Sequence, residues 1–415
     1  MPLSSVLMFG WEYPPHNSGG LGVACQGMCE ALVNDGHKVT FVLPKFIEIK
    51  EGIVPLVFAD SASHKHIDEW GLSIIRQIQN PYTSPDEYKK LLKIYYNYFG
   101  EDAPYPDSLI ERVDLYSAKA YGLSKDYKNV DIIHAHDWLS FGAGIAAKRA
   151  TGKPLVVHIH ATEYDRSPGG SINTEIYKRE KAGLEVADKI IAVSEFTKNT
   201  ITKHYGITPD KILVVHNGVV SKISTKKLSD DLLAIKESGN AIVLSLGRIT
   251  LQKGIDYFMH MARIVLDHMP KTFFVVAGSG DMERQIIELG AELGISHNVL
   301  FTGFVRGDTI DSLYRTADVF IMPSVSEPFG IAPLEAMDQG TPVIISKQSG
   351  VSEVASHTLK VDFWDVEDMA NKVIAILAYP ALKNTLSTEG GKQVKTLNWG
   401  AAAKKLASIY NELKK

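Results

Sequence analysis

The stretch VFIMPSVSEPFGIAPLEAMDQGTPVII, residues 319–345, contains one complete unit of the predicted fold. It opens with an apolar run, Val319–Met322, and closes with another, Val343–Ile345; the helical pattern between them ends before Gly340. Both runs are continuous rather than alternating, which is typical of parallel strands that helices cover on both faces. The stretch therefore predicts a strand–helix–strand unit with parallel strands.

Similar apolar runs recur along the chain of 415 residues. Gly36 and Gly152 follow helical patterns and precede such runs, and glycine there can adopt the left-handed conformation that ends a helix. This repeated order predicts an α/β fold with doubly wound parallel sheets. The other predicted strands are Val6–Phe9, Val39–Leu43, Asp131–Ala135, Leu155–Ile159, Lys189–Val193, Ile212–Val215, Ile242–Leu246, Thr272–Ala277 and Val299–Phe301.

The chain is longer than a domain with a single hydrophobic core usually is, and its length suits two domains of about 200 residues each. Each half opens with its own strand–loop–helix unit, through the loops Gly10–Gly20 and Gly247–Gly254. We therefore predict two Rossmann-like domains facing a cleft, over residues 1–218 and 219–397. The connection between them falls in the polar, lysine-rich segment Ser221–Asp230.

Composition limits the class of protein. The net charge of −4 argues against nucleic acid as a partner, because general binding to nucleic acid needs a basic surface. No apolar run could span a bilayer and the N-terminus lacks a secretory signal, so we expect a cytoplasmic protein without an integral membrane segment. The sequence predicts no particular oligomeric state. Cys25 and Cys29 are interpreted as packing residues on one helix face, with a redox pair as the alternative.

Two loops at the ends of predicted strands could bind a diphosphate. The segment Ser18-Gly19-Gly20-Leu21-Gly22 opens the first helix, where backbone N–H groups attract anions and glycine permits close approach. Arg248 and Lys253 follow a strand, at the edge where open α/β sheets bind ligands, and their charges suit a diphosphate. The alternatives are a plain tight turn and two solvated surface cations.

A third candidate lies within the opening stretch. The segment Ser326-Glu327-Pro328-Phe329-Gly330-Ile331 follows a strand, and Glu335 comes near a helix start that Pro333 favours. The two carboxylates could accept hydrogen bonds from a sugar and a ribose, while Phe329-Gly330 would present backbone N–H groups. Alternatively, the carboxylates only complement the helix dipole.

Histidines form a fourth candidate. His134 and His136 precede Asp137, His158 and His160 form a second H-x-H pair, and alternation places each pair on one face of its strand. This is a reasonable set of metal ligands, although the same residues could be catalytic or structural. A metal-dependent hydrolase that uses the four histidines is therefore the alternative function.

Residues 80–127 interrupt the alternation of predicted strands and helices. They are rich in tyrosine and contain a helical stretch at Lys89–Tyr98. We interpret this segment as an insertion that packs on the first domain. The alternative is a platform for a sugar acceptor, since tyrosine rings stack on sugars and their hydroxyls form hydrogen bonds.

Together these motifs resemble the retaining glycosyltransferases of the GT-B fold, in family 4 and the neighbouring starch and glycogen synthases. The resemblance covers nearly the whole chain, and its most specific part is the E-x7-E pattern from Glu327 to Glu335. The matching segments are Ser18–Gly22, His134–Trp138, His160, Val193-Ser194, Asn217–Val219, Gly247-Arg248, Lys253-Gly254 and Glu327–Glu335.

The resemblance implies which residues bind the donor, a nucleotide diphosphate sugar. Gly19 and Gly20 would contact its diphosphate through the backbone, and Glu335 would bind its ribose. Arg248 and Lys253 would neutralise the diphosphate as it leaves. No metal ion and no other cofactor is expected, because these cations take the place of a metal.

The resemblance also implies how the sugar is held. Glu327 and the Phe329-Gly330-Ile331 backbone would bind the sugar hydroxyls, His160 would contact the sugar near its anomeric centre, and Asp137 would line the acceptor side. The acceptor would attack from the leaving-group face without a protein nucleophile. A final helix within residues 398–415 would cross back to the first domain.

One residue departs from the family pattern. Starch and glycogen synthases usually carry a lysine where this chain has Asn17, so the diphosphate loses one positive contact. The expected donor is ADP-glucose or UDP-glucose, and the expected acceptor is a saccharide or glucan. The predicted activity is that of a retaining hexosyltransferase, with glucose as the leading sugar.

Overall fold

The computed structural model describes residues 2–15, 19–46, 52–59, 108–220 and 230–414. Within these residues the strands form two sheets. The strands are β1 (Ser5–Phe9), β2 (Lys38–Leu43), β3 (Leu56–Phe58), β4 (Ile132–His136), β5 (Leu155–Ile159), β6 (Lys189–Ala192), β7 (Ile212–Val214), β8 (Ala241–Leu246), β9 (Thr272–Ala277), β10 (Val299–Gly303), β11 (Val319–Met322), β12 (Val343–Ser346) and β13 (Leu359–Val361).

Helices alternate with these strands. They are α1 (Gly20–Asn34), α2 (Leu109–Ser124), α3 (Trp138–Thr151), α4 (Glu163–Arg166), α5 (Thr174–Val186), α6 (Glu195–Tyr205), α7 (Asp230–Glu237), α8 (Ile255–His268), α9 (Glu283–Glu292), α10 (Asp308–Thr316), α11 (Ala332–Asp338), α12 (Val366–Ala378), α13 (Pro380–Val394) and α14 (Trp399–Leu413). None of these helices is both long and apolar enough to cross a membrane.

The two sheets have corresponding strand orders. The first runs β3-β2-β1-β4-β5-β6-β7 and the second β10-β9-β8-β11-β12-β13, with parallel pairing throughout the described strands. Each order reverses beside its first strand, between β1 and β4 and between β8 and β11. Connections leave such a reversal in opposite directions and open a crevice at the carboxyl ends of the strands, where ligands bind. The α/β fold with two doubly wound sheets is confirmed.

Side-chain alternation separates the two cores of the first sheet. Ile133 and Ala135 of β4 belong to the core that α2 and α3 cover, whereas Ile132 belongs to the opposite core under α1 and α14. His134 and His136 alternate in step with Ile132 and so lie on the α1–α14 side. The last helix, α14, contributes Tyr410 to this core of the first sheet.

All eleven predicted strands are confirmed to within two residues at each end. The sequence missed β3 and β13, two three-residue strands at sheet edges, because so short a run carries little periodicity. The left-handed glycines predicted at the ends of helices are present at Gly36, Gly152 and Gly340. The domain boundaries at 218 and 397 stay a prediction, and residues 221–229 of the proposed connection lie outside the described residues.

Part of the tyrosine-rich segment can be placed. Residues 80–107, including the helix predicted at Lys89–Tyr98, lie outside the described residues. In α2, Tyr116 is buried and its hydroxyl donates to the carbonyl oxygens of Gly10 and Val42, at 3.1 Å and 2.7 Å. This tyrosine therefore packs on the first sheet, as the insertion hypothesis requires.

Candidate active site

The loops that follow β8 and β11 bring two of the predicted site residues into contact. Lys253 Nζ lies 2.5 Å from Glu327 Oε2, and the Ser324 hydroxyl donates to the same oxygen at 3.1 Å. Glu327 is buried, while Lys253 is half-buried. The pair lies at the strand reversal of the second sheet, the position where this fold binds ligands.

Two glycines allow these loops to approach each other. Gly254 has φ +64°, and a Cβ there would lie 2.3 Å from the carbonyl oxygen of Pro323. Gly330 has φ +96°, and its Cβ would lie 2.9 Å from Met322 Cε and 3.1 Å from Glu327 Cγ. Both positions combine left-handed backbone with a lack of space, so glycine is required to seat Glu327 beside Lys253.

The other predicted donor-site residues of the second half differ in exposure. Arg248 is exposed in the loop after β8. Phe329 is 2% exposed within the core, so only its backbone could face a ligand. Ile331 is half-buried and packs against a core of each sheet. Glu335, in α11, accepts a hydrogen bond of 3.0 Å from the hydroxyl of buried Tyr314.

The two glycines at the start of α1 are not crowded by the described residues. Gly19 precedes the helix in an extended conformation, and a Cβ on Gly19 or Gly20 would meet no atom of the described residues within 4 Å. The Gly22 N–H donates to Glu12 Oε1 at 3.0 Å, so a carboxylate of the protein itself lies at this helix start. The sequence did not single out Glu12, and Asn17 and Ser18 lie outside the described residues.

Asp137 holds the backbone that carries His160. Its Oδ1 accepts from the backbone N–H groups of His160 and Ala161, at 2.7 Å and 3.4 Å, and Arg166 Nη2 lies 3.9 Å from Oδ2. Among the non-glycine residues of the described ranges, Asp137 is the one with positive φ, at φ 56° and ψ 170°. Such a conformation costs about 1–3 kcal/mol, and strain of this kind is concentrated at functional sites.

The four histidines form a stack along β4 and β5. Neighbouring ring centroids are 4.4–5.5 Å apart, and His136 Nδ1 lies 3.0 Å from His160 Nε2. Burial lowers the pKa of all four imidazoles, that of His134 to about 3, so the rings are neutral at pH 7. His134, His136 and His158 have no exposed surface, whereas His160 is half-buried.

This burial bears on the hydrolase alternative. A hydrolytic metal site keeps one coordination position open for water and substrate. The rings of His134, His136 and His158 offer no such opening, because each is 0% exposed. These three histidines therefore lack the access that metal-dependent hydrolysis requires, whereas His160 is half-buried.

A contact between the two halves joins the His160 region to the Glu327 region. The Ser326 hydroxyl donates to Asp165 Oδ1 at 2.7 Å. Asp165 belongs to a capping box with Thr162 at the start of α4, directly after His160. The residues that flank His160 and Glu327 thus meet across the cleft. The sequence carried a signal for the start of α4, though not for the contact, since Thr162-x-x-Asp165 after a strand has the spacing of a capping box.

Comparisons with known proteins agree with this architecture. Residues 18–222 match the family model described as Glycosyltransferase Family 4, and residues 234–393 match that of Glycosyl transferases group 1. An uncharacterized glycosyltransferase of Methanocaldococcus jannaschii is 30% identical over 424 residues, covering 98% of this chain and 97% of the relative. A glycogen synthase of Mycobacterium tuberculosis is 26% identical over 421 residues, covering 98% and 94% respectively.

A solved structure shows the same fold over the same length. The structure of Anabaena HepE in complex with UDP-glucose superposes with a TM-score of 0.70 at 18% identity, covering 99% of this chain and 100% of that one. At this identity the match supports the arrangement of the two sheets. The predicted pair of Rossmann-like sheets therefore corresponds to a known two-sheet architecture along the whole chain.

Proposed function

Because the chain belongs to the family 4 glycosyltransferases and has the GT-B fold, we propose that it is a retaining hexosyltransferase. Its donor is a nucleotide diphosphate sugar, ADP-glucose or UDP-glucose, and its acceptor is a saccharide or glucan. The bound UDP-glucose of the Anabaena structure and the glycogen synthase among the relatives support these substrate classes.

The observation that carries the proposal is the contact between Lys253 and Glu327. A carboxylate that is buried beside an ammonium group is oriented for hydrogen bonds to sugar hydroxyls. Lys253 has three N–H donors, so it can retain Glu327 and also bind a phosphate oxygen. Arg248, exposed on the same loop, adds a planar guanidinium that matches a phosphate.

The proposed mechanism depends on charge at the leaving group. Glycosyl transfer passes through an oxocarbenium-like state while negative charge grows on the departing diphosphate. Arg248 and Lys253 stabilise that charge from fixed positions, which lowers the barrier without a metal ion. The acceptor attacks from the leaving-group face, a phosphate oxygen takes its proton, and the anomeric configuration is retained.

The first half supplies shape rather than charge. His160 is neutral and faces the transferred sugar near its anomeric centre, and Asp137 fixes the backbone of His160. The Ser326–Asp165 hydrogen bond joins this segment to the Glu327 loop. Closing the cleft over the donor excludes water, which suppresses hydrolysis of the donor.

The test begins with binding and ends with stereochemistry. A thermal-shift panel compares UDP, ADP and their glucose conjugates with the corresponding monophosphates, with chelator present. A diphosphate in large excess of its Kd should raise stability by a few kcal/mol, and monophosphates should do much less. NMR of the product should then show an α-linkage from an α-linked donor. A β-linked product would refute retention, and a flat panel would refute the donor class.

A further inference from the structure

Three buried imidazoles carry ring nitrogens that no group of the described residues satisfies. These are His134 Nε2, His136 Nε2 and both ring nitrogens of His158. The opposite nitrogens of the first two are engaged, since His134 Nδ1 bonds the Tyr410 hydroxyl at 2.5 Å and His136 Nδ1 bonds His160. A buried polar group without a partner costs about 1–3 kcal/mol, so each of these nitrogens needs an ion or a water.

The unsatisfied nitrogens belong to residues whose ring nitrogens lie close together. His134, His136 and His158 each offer one ring nitrogen, and these atoms all lie within 4.8 Å of one another. The cause is the strand pairing, because β4 and β5 run parallel with His136 opposite His158. All three residues lie in the interior of the protein, and each is 0% exposed.

We propose that His134, His136 and His158 bind a transition-metal ion of the zinc or copper kind inside the first half of the molecule. Imidazole nitrogen is a preferred ligand of these ions, and three imidazoles leave one position of a tetrahedral site for a water. Tyr410 and His160 form the outer shell, since each bonds the far nitrogen of a ligand ring and fixes its orientation. The site has no access to substrate, so its role is structural.

Metal binding would also fix the tautomer of His160. With the metal on His136 Nε2, the proton of that ring must lie on Nδ1, which then donates to His160 Nε2. Neutral His160 consequently carries its own proton on Nδ1. Only the relevance of this tautomer to sugar binding rests on the proposed role of His160; the metal site itself does not.

A second set of side chains is an alternative set of metal ligands. Cys25, His136 and His160 also have ligand atoms within 4.8 Å of one another. In that set only His136 has an unsatisfied buried ring nitrogen, whereas every member of the three-histidine set has one. The three-histidine set is therefore the better match to the unsatisfied groups.

The first test is the metal content of the full chain, purified without chelator and then dialysed against Zn²⁺ or Cu⁺. We expect about one tightly held ion per chain and a higher melting temperature than after chelator treatment. His158→Gln removes a ligand that bonds no other side chain in the described part of the chain and should abolish both effects. His260→Gln, at an exposed position on α8, is the matched control and should retain them.

Cobalt identifies the ligands even if His158→Gln fails to fold. Wild-type protein titrated with Co²⁺ should show ligand-field bands of a four-coordinate site without a thiolate charge-transfer band. A thiolate band that disappears in Cys25→Ser would overturn the three-histidine assignment. Wild-type protein that retains no ion, and whose melting temperature is unchanged by each metal, would overturn the site and leave water as the partner of these nitrogens.

Discussion

The two halves of the molecule place different chemistry at the same point of the same fold. At the strand reversal of the first sheet, β4 ends in the buried His136, and the strained Asp137 follows. At the reversal of the second sheet, β8 and β11 lead to Arg248, Lys253 and Glu327, which are exposed, half-buried and buried in turn. The first half presents neutral rings held by the backbone, and the second presents full charges.

This difference has a physical reason. A neutral imidazole can be buried at modest cost, whereas a buried ion needs a partner or solvent. Charge acts over distance on a leaving anion, so the second half can stabilise a diphosphate without enclosing it. A steric fit acts only between atoms in contact, so the first half must hold its side chains in rigid positions. We therefore expect charge removal in the second half to reduce turnover most.

The largest expected effect comes from the cations. Lys253→Ala and Arg248→Ala should each lower kcat about a hundredfold, because a fixed charge that stabilises the leaving diphosphate is lost. Steady-state kinetics with the donor found by the binding panel measures this. Arg284→Ala, which removes a cation that is 91% exposed on α9, is the control and should leave kcat unchanged. Near-normal turnover in both cleft variants would refute the assigned roles.

The second prediction concerns the strained residue of the first half. Asp137→Asn should lower kcat roughly tenfold, because a charge-assisted hydrogen bond to the His160 N–H becomes a neutral one. Asp137→Gly distinguishes the effect of the backbone strain from that of the carboxylate, since glycine accepts φ 56° without strain but has no carboxylate. If Asp137→Gly were as active as wild type, the carboxylate would have no role in positioning His160.

The third prediction concerns nucleotide affinity. Glu335→Gln should raise the Kd for the nucleoside diphosphate by roughly tenfold with little change in kcat, because a charged acceptor for the ribose becomes neutral. Calorimetry with ribose and deoxyribose forms of the diphosphate tests the contact directly. Wild type should discriminate between the two forms more strongly than the variant does. Equal discrimination would place the ribose elsewhere.

The fold was predictable from the sequence because buried parallel strands are continuous apolar runs that local composition reveals. Such runs identified β8 and β11 and thereby the loops with Lys253 and Glu327. Charge and position at strand ends were sufficient to nominate both residues, and their contact followed from the pairing of neighbouring strands. Edge strands such as β13 were not predicted, because three residues are too few to show a period of hydrophobicity.

Contacts between distant segments were not predictable in this way. The Ser326–Asp165 hydrogen bond spans 161 positions and depends on how the two halves meet. The carboxylate of Glu12 at the start of α1 depends on the path of a loop rather than on any motif. The lack of partners for the His158 nitrogens likewise becomes visible only when the surrounding side chains are in place.

Glu353 provides another contact between the halves. Its carboxylate accepts from the backbone N–H groups of Glu195 and Phe196 at the start of α6, at 3.0 Å and 2.8 Å. His216 Nε2 lies 2.9 Å from the same carboxylate. Burial alone would raise the pKa of Glu353, but the His216 and backbone hydrogen bonds outweigh it and lower the pKa below its ordinary value.

The smallest expected effect follows from this contact. Glu353→Gln should lower the free energy of unfolding by about 1 kcal/mol at pH 7, since a carboxylate at a helix N-terminus is replaced by an amide. A carboxyl with a lowered folded pKa stabilises the protein above its unfolded pKa, and the contribution fades as pH falls. Urea unfolding should therefore show the variant approaching wild type below about pH 4. The exposed Glu288→Gln is the control, and a difference that stays undiminished at the low pH where Glu353 is protonated would contradict the ionised contact.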